Sequence, residues 1–86
     1  MDEIERQTAL TWGGRAAASY QLSEEAKTLD KRFERFYEGE NYRQEAFEHA
    51  SMAEDRGKLL REIRDEIEAA RESALDQLHE RLTLQH

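Results

Sequence analysis

Apolar side chains recur along this chain at helical spacing, and the clearest run lies between residues 16 and 38. Turned by about 100° per residue, Ala18, Leu22, Ala26, Leu29, Phe33, Phe36 and Tyr37 collect on one face of a helix. Glu24, Lys27, Lys31, Glu34, Arg35 and Glu38 occupy the other face, with opposite charges three apart at Glu24/Lys27 and Arg35/Glu38. Ser23 offers an N-cap at which the helix restarts, yet the stripe passes through it without a change of phase. The pattern predicts a first helix over residues 16–38.

Gly39 is the expected stop, because glycine adopts the left-handed C′ conformation at least cost. Asn41 then reads as a new N-cap, and Gln44 three residues on completes a capping-box pattern. A second helix over residues 42–55 follows, with Tyr42, Ala46, Phe47, Ala50 and Ala53 on its apolar side. The alternative is one helix running through Gly39. Arg56-Gly57 reads as the next break, and residues 58–84 as a third helix carrying Leu59, Leu60, Ile63, Ile67, Ala70 and Ala74. That stripe drifts toward Leu75, Leu78 and Leu82, so its period is nearer 3.6 than the 3.5 of a coiled coil and favours packing in a bundle. Arg64 and Arg71 edge the stripe with Glu68 within reach of both.

Upstream, Thr11-Trp12-Gly13-Gly14-Arg15 places the single tryptophan beside the single glycine pair and predicts a break, with residues 1–14 as a short N-terminal helical arm. The connections are too short for anything but sharp reversals. The expectation is one all-α domain over residues 1–86, a small antiparallel three-helix bundle of long, short and long helices. At about 1.5 Å per residue the outer helices overhang the middle one. Their ends are then covered by the arm or by a second chain.

Composition sharpens this picture. Eighty-six residues enclose one core, and with apolar residues at 37%, many of them alanine, against 38% charged, that core is thin. Thin cores without disulfides recruit buried surface from another chain, so self-association as a homodimer is expected. The absence of cysteine removes disulfides, thiolate zinc sites and thiol nucleophiles, and it gives no sign of an oxidising compartment. An acidic amino terminus with no apolar run behind it, and no stretch of about 20 apolar residues, predict a soluble cytoplasmic protein with no membrane partner.

The net charge of −7 is uneven. Residues 34–55 hold seven acids (Glu34, Glu38, Glu40, Glu45, Glu48, Glu54, Asp55) against Arg35 and Arg43, whereas residues 56–72 hold five bases and five acids. Such a field disfavours direct nucleic-acid binding and favours a basic protein partner.

Chemistry-bearing motifs are few. Glu45 and His49 stand one turn apart, a spacing that suits a carboxylate/histidine metal site, but no second such pair exists; His79 and the terminal His86 complete no set. Ser19, Ser23, Ser51 and Ser73 lack a glycine elbow and a base on their own face, so no catalytic residue is expected. Gly13-Gly14 lacks the remaining glycines and the lysine of a phosphate loop, and no cofactor is expected.

Three functional expectations result. The first is a non-catalytic protein-interaction module, with Trp12, Arg15, Tyr20, Tyr42, Arg64 and Arg71 as partner-binding residues, since tryptophan, tyrosine and arginine dominate interface hot spots. Against it stands a Trp12 that merely closes the end of the core. The second is an inhibitor whose acidic 34–55 segment imitates a phosphate backbone, and the third is a carboxylate/histidine metal-binding bundle.

Overall fold

A computed structural model describes residues 2–84 and is helical apart from two short connections. Helix α1 spans Asp2–Glu25, α2 Leu29–Ser51 and α3 Arg56–Leu84. Paired side chains fix their directions. Glu5 meets His49, Trp12 meets Tyr42 and Ser23 meets Arg32, so α1 and α2 are antiparallel. Arg43 meets Glu68 and Arg71 meets Glu40, so α2 and α3 are antiparallel as well. The expected all-α, up-down-up three-helix bundle is what forms, with Cα extents of 50 × 17 × 14 Å.

The joints lie elsewhere than the glycines suggest. Residues 2–14, expected as an arm ending in a break, are the first half of α1, and the helix runs through Gly13 and Gly14 without a positive φ. The stretch expected as one helix over 16–38 is divided at residues 26–28. There Thr28, with φ −114° and ψ 153°, accepts a hydrogen bond from the Lys31 amide at 3.2 Å and caps α2, while Asp30 complements the positive end of the helix. The buried Ser23 hydroxyl, read as a possible cap, instead donates across the turn to the Arg32 carbonyl at 2.7 Å. Helix α2 then continues through Gly39 and Asn41, so the separate helix over 42–55 does not exist. The second reversal, residues 52–55, precedes Gly57, which lies within the first turn of α3.

Packing explains these differences. The buried seam of α1 is Ala9, Gly13, Ala16, Tyr20 and Ser23, spaced four and three apart, with Ser19 buried beside it, and all but Tyr20 are small. Helix α2 buries Arg32, Phe36, Gly39, Ala46 and Ala50. Large side chains come mainly from α3, where Leu59, Ile63, Ile67 and Leu78 are buried as the drifting stripe predicts. A Cβ on Gly13 would sit 3.6 Å from Ile67 and 3.7 Å from Ile63, so the glycine is where α3's isoleucines approach the α1 backbone. At Gly39 the approach is closer. The Tyr20 ring lies where a Cβ would be, with Cε1 2.7 Å away. Each mid-helix glycine costs about 1 kcal/mol against alanine, and close packing of ring and backbone offsets that cost at Gly39.

Candidate functional site

Tyr20 is fully buried and points from α1 toward α2, where its hydroxyl donates to Glu40 Oε1 at 2.6 Å. The same oxygen accepts from Arg71 Nε at 2.6 Å, and Glu40 Oε2 accepts from Arg71 Nη2 at 3.4 Å. One carboxylate thus ties all three helices together. Arg71 also stands 5.8 Å from the Phe36 ring centroid, and Phe36 packs on Tyr20 at 5.3 Å. Burial pushes Glu40 upward, but the hydrogen bonds from Arg71 and Tyr20, with the charges of Arg71 and Arg43, outweigh it and hold the carboxyl below its ordinary value. Burial, then the bond to Glu40, raises the Tyr20 phenol well above its own, and Glu40 raises Arg71 in turn.

This network changes the standing of two expected partner residues. Tyr20 has no exposed surface, because the small α1 seam lets α2 close over it, so its ring is an internal strut and not a contact for another chain. Arg71 is engaged by Glu40 from α2, with 28% of its side chain still exposed. The other four are accessible in whole or part. Trp12 and Tyr42 are half-buried and packed at 5.4 Å, with the Arg15 guanidinium 4.9 Å over the indole, which closes the outer seam between α1 and α2. Trp12 therefore lies midway along the bundle and caps no end.

His49 is also structural. Its Nδ1 lies 2.9 Å from Glu5 Oε2, joining α2 to the start of α1, while Glu45 stands 3.8 Å from Nε2. Among the described residues no three His, Cys, Asp or Glu side chains are grouped to hold a metal ion; His79 is exposed and His86 lies outside the described residues. Much of the central acidic segment is engaged with cations. Glu34 pairs with Lys31, Glu38 with Arg35, Glu40 with Arg71 and Asp55 with Arg6.

What the network leaves open is a groove of about 480 Å³ between α2 and α3, lined by Arg43, Phe47, Gly57, Leu60, Arg61 and Arg64. Phe47 and Leu60 are half-buried and form its apolar floor. Arg43 stacks over Phe47 at 5.0 Å while its Nε donates to Glu68 at 2.6 Å. Arg61 and Arg64, one turn apart on α3, are exposed and have no ion pair among the described residues. Of the expected partner residues only Arg64 belongs to this groove. Phe47 and Leu60 were legible as members of the apolar stripes of residues 42–55 and 58–84, but the even charge count over residues 56–72 masked an uneven placement: four of the five bases lie at residues 56–64 with one acid, Glu62.

Two apolar-floored, polar-rimmed surfaces therefore exist: the Trp12/Tyr42 seam, whose one cation, Arg15, lies over the indole, and the α2–α3 groove, whose rim carries the two cations Arg61 and Arg64. No family model, curated protein or solved structure matches this chain. No helix among the described residues is long and apolar enough to cross a membrane.

Proposed function

We propose that this protein is a non-catalytic protein-interaction module whose docking surface is the groove between α2 and α3. The observation that carries the reading is the pair Arg61 and Arg64, two unpaired cations beside the half-buried Phe47 and Leu60 on a chain of net charge −7. Elsewhere the polar groups with reactive potential are engaged: Tyr20, Glu40 and Arg71 bind one another, and His49 is held by Glu5. An apolar floor with a charged rim is the anatomy of a protein interface, in which the apolar centre supplies affinity and the rim supplies orientation. The chemistry of the rim calls for a partner surface bearing carboxylates, in place of the basic partner that net charge alone suggests.

Site-specific photo-crosslinking tests the reading. A photoreactive residue at Gln44, which borders the groove beside Phe47, is expected to capture a protein in the source cell, and one at the exposed Gln21 on the outer side of α1 is not. Equal capture from both positions, or from neither, overturns the proposal.

A further inference from the structure

Resting on that reading, we infer that the occupant of the groove is a second copy of this chain, joined to the first through the α2–α3 faces by an antiparallel two-fold axis. The face is polarised along its length. At the end near the α2–α3 turn it presents the Phe47/Leu60 floor with Arg61 and Arg64. At the other end it presents Tyr37, 61% exposed and stacked on Phe33 at 6.2 Å. There α3 carries the half-buried Leu75 and the exposed acids Glu72 and Asp76, which have no ion pair among the described residues. On a helical projection Lys58, Arg61, Arg64, Asp65, Glu72, Leu75 and Asp76 fall within an arc of about 120°, so this flank of α3 is net basic over its first half, three cations against Asp65, and carries the exposed acids Glu72 and Asp76 over its second.

A surface with cations at one end and carboxylates at the other is complementary to itself when reversed. A two-fold axis at the level of Glu68 and Ala69 sets Arg61 opposite Asp76 of the second copy and Arg64 opposite its Glu72. The pairing of Arg43 with Glu68 and of Glu40 with Arg71 aligns Tyr37 with residue 74 of α3. The same axis carries the second copy's Tyr37 to the level of residue 62, within about 3 Å along the helix of Phe47. The exposed ring of each copy thereby reaches the open floor of the other, twice per dimer, as an isologous interface requires. At the centre, Arg43 is already neutralised by Glu68, so no unpaired charge is buried there. Two helices about 10 Å wide over about 35 Å of shared length cover on the order of 700 Å² per copy, close to the roughly 800 Å² of a standard interface.

Charge reversal in two halves provides the test, read by sedimentation velocity from about 1 to 200 µM with far-UV circular dichroism as the control for folding. The wild type is expected to be a dimer in this range. Arg61→Glu/Arg64→Glu faces acids with acids, and Glu72→Arg/Asp76→Arg faces bases with bases, so each variant alone is expected to be monomeric. Mixed one to one, the two variants are expected to form a heterodimer, and all four substitutions in a single chain are expected to restore the homodimer. A monomeric wild type, dimers that survive either half-reversal, or monomers that stay apart on mixing would each overturn the inference. A monomeric wild type whose Gln44 position still captures a different protein removes the second copy while leaving the docking groove; absence of both removes the groove as well.

Discussion

Two glycines inside helices, given the same substitution, are expected to respond with opposite sign. Replacing a mid-helix glycine by alanine contributes about 1 kcal/mol through backbone entropy and propensity. At Gly14 nothing lies within 4 Å of the added Cβ, so the whole contribution appears as stability. For a domain of this size about 1 kcal/mol raises Tm by roughly 4–8 °C. At Gly39 the new methyl meets Tyr20 Cε1 at 2.7 Å, Cδ1 at 2.8 Å and Cζ at 3.0 Å. These are atoms of a rigid ring with no exposed surface, packed on Phe36 and tied to Glu40 at 2.6 Å, so the ring cannot swing aside.

Overpacking of this kind costs about 1–3 kcal/mol, and a weakened hydrogen bond to a carboxylate about 1.5–3 kcal/mol more where it breaks. Against a propensity contribution of about 1 kcal/mol, Gly39→Ala is expected to lose about 2 kcal/mol and roughly 10 °C in Tm. Urea and thermal unfolding followed by circular dichroism measure both variants. A Tm that rises alike in Gly14→Ala and Gly39→Ala would refute the placement of Tyr20 over the α2 backbone. A double-mutant cycle identifies the cause: in a Tyr20→Leu background, Gly39→Ala should cost at least about 1 kcal/mol less. An unchanged cost would mean that the backbone at Gly39, and not the ring, demands glycine.

Arg32 is 8% exposed, and its Nε and Nη1 are buried without acceptors, so Arg32→Met is expected to stabilise the fold by about 1–3 kcal/mol; urea unfolding that shows a loss instead would reveal an acceptor. Because Glu40 titrates lower when folded, its contribution is present above the ordinary value of 4.5 and fades as pH falls through the folded value, so the gap between wild type and Glu40→Gln should narrow on acidification below about pH 4.5; a pH-independent gap counts against the network. Tyr20 titrates higher when folded, so its contribution is intact below the ordinary 10.0 and is lost above it; Tyr20→Phe should lose about 1.5 kcal/mol at neutral pH and less stability than wild type on further alkalinisation, both read by urea unfolding.

How much of this was legible varies by helix. The stripe of α3 could be read directly, because Leu59, Ile63, Ile67 and Leu78 are large and recur at the helical period, and all four are buried. In α1 the buried seam is Ala9, Gly13, Ala16 and Ser23, residues whose low hydrophobicity leaves the stripe nearly silent; only Tyr20 in it is conspicuous, and it looks like a surface anchor until its neighbours are known. The turn at residues 26–28 had a signal in Thr28 followed by Asp30, but the louder cue of Gly39 pointed thirteen residues past the first break at Ala26.

The order of residues by itself determined an all-helical chain packed as a bundle and the core face of α3, because period and side-chain size are local properties. Only the tertiary structure decided where the helices break, which tyrosine is a strut and which arginines are free. Those outcomes depend on what stands opposite: Gly39 remains helical because the Tyr20 ring fills the place of its side chain, and Arg71 is paired because Glu40 meets it from another helix. Arg64 stays unpaired because Glu68, the acid one turn on along its own helix, is taken by Arg43 from α2. Charge counted along the chain cannot register that difference, since pairing is a matter of distance in space.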